Sequence, residues 1–266
     1  DSRVDPTFDN NYAIRLASAN GHVEVVKILL KDSRVDPGDD NNSAIGWASA
    51  NGHVEVVKLL LKDSRVDPGD DNNFAIKWAS ECGHVEVVKL LLKDSRVNPN
   101  AGNNSAIGCA SENGHVEVVK ILIKDSRVDP GDDNNYAIRL ASENGHVEVV
   151  KLLLKDPRVD PGDDNNSAIG WASANGHVEV VKLLLKDSRV DPGDDNNFAI
   201  KWASECGHIG VVKLLLKDSR VNPAAGNTFA IGWASANGHV EVVKLLLEDS
   251  RVNPGAGNNY AIKWAS

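Results

Sequence analysis

The residue types in this chain that could do chemistry recur at fixed spacing. Eight histidines, His22, His53, His84, His115, His146, His177, His208 and His239, stand 31 residues apart. A zinc site gathers several ligands about 2.0–2.3 Å from one ion. No second His and no paired carboxylate accompanies any of these eight, so the pattern points away from a metal. The acidic stretch DPGDDNN, Asp36 to Asn42, offers oxygens of the kind that hard cations take. A helix–loop–helix calcium loop closes on a bidentate Glu, and none stands there. Three copies also lose the acids: NPNAGNN from Asn98, NPAAGNT from Asn222 and NPGAGNN from Asn253. The stretch reads instead as a solvated turn whose Asp and Asn bond their own backbone. Cys82 and Cys206 each precede a His by two residues in ECGH. A thiol nucleophile needs a base in reach and a third group to orient that base. Here the glycine turn separates the two side chains and no orienting acid follows. Phosphate-binding glycine loops and catalytic carboxylate pairs are absent from the sequence as well. What remains is non-covalent chemistry. FAIKWASECGH sets Phe74, Lys77 and Trp78 at i, i+3 and i+4, which is helical spacing for residue types common at contact surfaces.

The elements that position these residues follow from an internal repeat. DSRVDP, DSRVNP or DPRVDP begins at Asp1, Asp32, Asp63, Asp94, Asp125, Asp156, Asp187, Asp218 and Asp249, with a period of 31 and no insertion. Eight full repeats are followed by 18 residues of a ninth. In the repeat Asp32 to Lys62, Asn42 reads as the N-cap of a short helix, SAIGWASA. Asn51-Gly52 ends that helix, with Gly suited to a left-handed C-cap. HVEVVKLLLK is a second helix with an apolar stripe of Val54, Val57, Leu60 and Leu61. DSRVDPGDDNN is a polar turn punctuated by Pro and Gly. A helix–turn–helix unit of this size leaves its apolar faces bare when alone and buries them by stacking, which predicts an all-α solenoid.

Bulk properties narrow the classes further. The 266 residues are 41% apolar and 25% charged, as in globular domains. Formal net charge is −9, opposite to the basic footprint of a nucleic-acid binder. No apolar run approaches the ~20 residues of a spanning helix, so no membrane role is expected. The three cysteines are odd in number and lack metal-ligand spacing. Free thiols suit a reducing, intracellular, cytoplasmic setting. A chain that begins at Asp1 and contains no Met reads as a fragment or a processed product.

The run A-I-x-x-A-S-x-N-G-H-V-E-V-V-K-L-L-L-K resembles the ankyrin repeat. The GH pair, the VV and the LLL match that family's helix junction and second helix, over the whole chain. The resemblance implies one ankyrin-repeat domain over residues 1–266, with eight full repeats plus the first helix of a ninth. It also implies that the histidine bridges neighbouring repeats, and that the first helices line a concave groove that binds partners. Two features depart from the family. Its usual period is about 33 residues, so short loops are expected here in place of full β-hairpin fingers. Its T-P-L-H opening is replaced by S-A-I-G, F-A-I-K or Y-A-I-R, so the hydrogen bonds of that Thr and His do not carry over.

The repeats also form an internal comparison. With positions counted as slots from the Asp of DSR, slots 13, 14, 17 and 18 are always Ala, Ile, Ala and Ser. Slots 12, 15, 16 and 19 vary, and they form the opposite face of a helix. Identical neighbours demand identical buried contacts, so the constant face is the expected packing face and the varying face the expected free one. Slot 16 holds Trp47, Trp78, Trp171, Trp202, Trp233 and Trp264, with Leu16, Cys109 and Leu140 elsewhere. Slot 15 alternates a cation with glycine: Arg15, Gly46, Lys77, Gly108, Arg139, Gly170, Lys201, Gly232, Lys263. Slot 12 carries an aromatic beside each cation and Ser beside each Gly, except at Phe229. Two accounts fit this alternation and are compatible. In one, a bulky pair needs a small pair in the neighbouring repeat, and aromatic and cation stack at i, i+3. In the other, aromatic–cation sites about 20 Å apart form a ladder for an extended acidic partner. Residues 1–124 and 125–248 differ at only fifteen positions, which looks like duplication of a four-repeat block.

These readings lead to a non-enzymatic scaffold that binds a protein or peptide, with no cofactor and no metal. The expected contact residues are Tyr12, Arg15, Trp47, Phe74, Lys77, Trp78, Tyr136, Arg139, Trp171, Phe198, Lys201 and Trp202. Loop acids such as Asp39, Asp40, Asp70 and Asp71 form a negative rim, and the combination suits a partner of mixed charge. The alternative is a structural spacer, or a repeat rod that self-assembles end to end through uncapped termini such as Tyr260 to Ser266, with no specific partner.

Overall fold

The computed structural model describes residues 5–253, and the chain divides into two compact units, residues 1–133 and 134–266. The first unit carries α1 (Phe8–Ala19), α2 (Val23–Leu30), α3 (Asp39–Ala50), α4 (Val54–Leu61), α5 (Asp70–Glu81), α6 (Val85–Leu92), α7 (Ala101–Glu112) and α8 (Val116–Lys124). The boundary falls inside α9 (Asp132–Glu143). The second unit carries α10 (Val147–Leu153), α11 (Asp163–Ala174), α12 (Val178–Leu184), α13 (Asp194–Glu205), α14 (Ile209–Leu216), α15 (Ala225–Ala236) and α16 (Val240–Glu248). All regular structure among the described residues is helical, and short loops stand where hairpin fingers would be. The expected helix of the ninth repeat, with Tyr260, Lys263 and Trp264, lies outside the described residues.

Each repeat is a helix pair, and like packs on like. In the first unit α1, α3, α5 and α7 form one layer, while α2, α4, α6 and α8 form the other. In the second unit α11, α13 and α15 form one layer and α10, α12, α14 and α16 the other. The core runs between the layers. Ile45, Ala48, Val56, Val57 and Leu60 are at most 1% exposed, as are their counterparts Ile169, Ala172, Val180, Val181 and Leu184. Burying one such Val, Leu or Ile side chain contributes about 1.5–3 kcal/mol. The stripe is therefore phased differently from its sequence reading. Val56 is wholly buried, while Val54 and Leu61 are only half-buried.

The Asn-Gly junction forms as expected. Gly52 sits at φ +72°. His53 N–H bonds the Ala48 carbonyl at 2.9 Å and Gly52 N–H bonds Ser49 at 3.2 Å, the bond pair of a Schellman ending. Glycine is needed here for a second reason: a Cβ on Gly52 would lie 2.6 Å from the ring of His84 in the next repeat.

The start of the first helix differs from its sequence reading. Asp40, Asn41 and Asn42 all adopt left-handed backbone angles, φ +53°, +55° and +56°. Asn42 N–H bonds the Gly38 carbonyl at 3.0 Å, and the right-handed helix follows from Ser43. Asp and Asn are the non-glycine residues that visit this region most readily. Slot 9 accordingly holds Asp or Gly, and Gly102 replaces Asp at φ +59°. Asn42 is not an N-cap. It is buried, accepts the Asp67 N–H at 2.7 Å and donates to Asp70 Oδ2 at 2.8 Å. The loop read as a solvated polar turn keeps Asp36, Asp40 and Asn41 exposed, with Asp36 and Asp39 accepting from their own backbone, while buried Asn42 makes its end a joint to the next repeat. Its Val is core too, with Val35 and Val66 each 1% exposed.

Candidate partner-binding site

The varying face of the first helices is where most of the exposed aromatic rings lie. In the first unit Tyr12 is 49% exposed and Trp47 44%. In the second, Trp171 is 37% exposed and Phe229 42%. The opposite face of the same helices, Ala44, Ile45, Ala48 and Ser49, is at most 1% exposed. Constancy across repeats therefore marks contact with the neighbouring repeats.

The predicted site residues gather into two kinds of group. One is an aromatic cluster that spans adjacent repeats. Trp47 meets Phe74 edge-on at 5.9 Å, Phe74 meets Trp78 at 5.3 Å, and Trp47 lies 6.4 Å from Trp78. The second unit repeats this with Trp171 to Phe198 at 5.9 Å and Phe198 to Trp202 at 5.5 Å. The cause is slot 15. A Cβ on Gly46 or Gly170 would lie 2.5 Å from the ring of Phe74 or Phe198. The glycine leaves a flat backbone on which the next repeat's Phe rests, which accounts for the pairing of small and bulky repeats.

The other group is an aromatic–arginine pair within one helix. The Arg15 guanidinium lies over Tyr12 at 5.7 Å, and that of Arg139 over Tyr136 at 4.8 Å. Arg15 Nη1 also reaches Asp40 at 2.5 Å and its Nη2 the Asp9 carbonyl at 2.8 Å. Arg139 pairs with Glu143 at 3.2 Å. Both arginines of the expected cationic ladder are thus already held by the chain's own carboxylates. Lys201 lies 5.7 Å from the Trp202 ring and 5.4 Å from Phe229, so the second cluster continues into a fourth ring. Lys77 is half-buried beside Cys109. Burial first, and then the Glu81 carboxylate, push the Cys109 thiol up to about 11, against the pull of Lys77. That thiol is protonated at neutral pH, unlike a nucleophilic one.

The histidines bridge repeats. Nε2 of His53, His84 and His115 lies 2.8–2.9 Å from the carbonyls of Ala19, Ala50 and Glu81. His177, His208 and His239 do the same to Glu143, Ala174 and Glu205. Among the described residues, no group of three or more His, Cys, Asp or Glu side chains is placed to hold a metal ion.

Two further joints escaped the sequence reading. Arg65 forks onto Asp63 at 2.8 and 2.6 Å, and its Nη1 reaches the Val35 carbonyl at 2.6 Å. Arg96 repeats this with Asp94 and the Val66 carbonyl. The buried slot-11 asparagines are the other joint. Their invariance from Asn11 to Asn197 was the available signal, since an exposed turn would not demand it.

Comparison with known families agrees with this architecture. The model described as ankyrin repeats (3 copies) matches residues 2–72, 64–134, 107–196 and 138–225, and the single ankyrin repeat matches 226–259. The chain belongs to the ankyrin repeat family. A search of the curated proteins finds no match. Ankyrin repeats are in general protein–protein interaction modules, and ankyrin repeat proteins are typically non-enzymatic and commonly intracellular. No helix among the described residues is long and apolar enough to cross a membrane.

Proposed function

We propose that this ankyrin repeat chain is a non-enzymatic, cytoplasmic scaffold that binds a protein or peptide along the varying face of its first helices. The observation that carries this reading is the contrast between two faces of one helix. Trp47 and Trp171 are exposed in a slot whose residue differs from repeat to repeat, while Ile45 and Ile169 are buried in one that is constant. Large aromatic rings left in water on one face suit the centre of an interface. The unbroken 31-residue register supports reading residues 1–266 as one repeat domain. Photo-cross-linking tests the proposal. A cross-linking amino acid at position 47 or 171 of the full chain should yield discrete protein adducts. The same group at position 58 or 182, on second helices, should not. Equal labelling from all four positions contradicts it.

A second reading, end-to-end self-association, rests on a different surface. Val25 is 46% and Ile28 67% exposed in the first repeat, whereas Val56 and Val87, in the slot of Val25, are wholly buried. A second copy would cover them. Concentration-dependent light scattering that Val25→Glu with Ile28→Glu removes would favour that reading, and scattering that stays flat would end it.

A further inference from the structure

The chain's own arginines show how a cation is held on the aromatic face. Arg15 rests over Tyr12 and reaches Asp40 in the loop of the next repeat. Arg139 rests over Tyr136 and reaches Glu143 on its own helix. Each of these slot-15 arginines is therefore served by a ring and a carboxylate together.

In the second and sixth repeats slot 15 is Gly46 or Gly170, so the chain supplies no cation there. The rings are present: Trp47 and Trp171 are exposed and stand edge-on to Phe74 and Phe198. The carboxylates are present too. Asp71 and Asp195 occupy the slot that Asp40 fills after Arg15, and both are exposed. Asp40 is taken up by Arg15. Asp71 and Asp195 enter no ion pair among the described residues. Charge on the whole face has the same sign. In the first unit Arg15 and Lys77 stand against Asp9, Asp40, Asp71, Glu81 and Glu112, within a chain of formal net charge −9.

We propose that these two places take arginine or lysine side chains from an extended basic segment of a protein partner. The cation lies over Trp47 or Trp171 and against Asp71 or Asp195, pairing a ring with a carboxylate as Arg15 does, although the ring is at slot 16 here and at slot 12 for Arg15. Cation–aromatic contact and charge pairing act on the same group. Lys77 and Lys201, on the following helix, repel a second cation and so set the register of the segment. The inference rests on the reading that the aromatic face binds a partner, and it adds the partner's charge.

The test uses the full chain and two fluorescein-labelled synthetic peptides, four copies of Arg-Ser-Leu and four copies of Glu-Ser-Leu, read by fluorescence anisotropy. The arginine peptide is expected to bind at least about tenfold more tightly than the glutamate peptide and to shift the tryptophan emission. Asp71→Asn with Asp195→Asn should weaken it by about tenfold. Asn keeps the left-handed backbone preference, and circular dichroism checks the helices. Glu55→Gln with Glu179→Gln, on second helices, should leave binding unchanged. The proposal is overturned by tighter or equal binding of the glutamate peptide, by binding of neither, by an unmoved tryptophan emission, or by an equal loss in the Glu55 and Glu179 control. If the glutamate peptide binds and Trp47→Ala with Trp171→Ala removes it, the aromatic face stands as a binding surface and only the sign of the partner is refuted.

Discussion

At the residue scale the molecule carries polar groups with opposite consequences for stability. Ser49 is wholly buried in α3 and its Oγ has no hydrogen-bond partner, a condition shared by Ser18, Ser80 and Ser173. An unpaired buried hydroxyl costs about 1–3 kcal/mol. Ser49→Ala is therefore expected to raise stability by about 1 kcal/mol in urea unfolding, and a loss would contradict the reading. Asn42 is the converse case, since both ends of its amide are bonded to the next repeat. Asn73 has the Asn98 N–H on its Oδ1 at 2.6 Å, but Ala101 stands where Asp70 receives Asn42. Ala101→Asp should complete that joint and add about 0.5–1.5 kcal/mol, with no gain expected in a chain that also carries Asn73→Ala. The invariance of these asparagines was legible in the sequence. Their role was not, because an Asn before a helix looks the same whether it caps that helix or points into the neighbouring repeat.

At the element scale the fit between helices decides which glycines are replaceable. Gly46→Ala pushes a methyl to within 2.5 Å of the Phe74 ring, whereas among the described residues nothing lies within 4 Å of the same position on Gly232 in α15. Gly46→Ala is expected to cost about 1–3 kcal/mol by overpacking. Gly232→Ala should gain about 0.5–1 kcal/mol from helix propensity. Thermal melts of the two variants check this, and equal shifts would contradict it. Phe74→Ser beside Gly46→Ala should recover much of the loss. The alternation of Gly with aromatic–cation pairs was readable in the sequence, because each repeat is the other's environment. The misphased stripe was not, since Val54, Val56 and Val57 offer the same chemistry and only the packing distinguishes them. Loop joints add a pH dependence. The fork of Arg65 holds the Asp63 carboxyl below its usual range, and Arg96, Arg127 and Arg189 do the same for Asp94, Asp125 and Asp187. A lowered folded-state pKa contributes stability that is present above about pH 4 and lost as pH falls through the lowered value. Urea midpoints should therefore drop between about pH 5 and pH 2, and less steeply in Asp63→Asn with Asp94→Asn. A flat profile in the unsubstituted chain would contradict the assignment.

At the scale of the whole molecule, sequence repetition separates two demands on one short helix. Ala44, Ile45, Ala48 and Ser49 answer to identical neighbours and stay constant, and Ser43, Gly46, Trp47 and Ala50 belong to the face that differs. The stack was thus legible from periodicity and the ankyrin signature. The identity of a partner was not, because it is written in the shape and charge of a surface rather than in a motif. The central claim is that the differing face serves a partner while the constant face serves the stack. Two quantities on one variant, Trp47→Ala with Trp171→Ala, test it most directly: affinity for the partner cross-linked at position 47, and free energy of urea unfolding. Affinity is expected to fall by at least about thirtyfold, the scale of a hot spot near 2 kcal/mol. Stability is expected to change by no more than about 1–2 kcal/mol, as for partly exposed side chains. Unchanged affinity, together with a stability loss above about 4 kcal/mol, would show that these tryptophans belong to the core and would contradict the account.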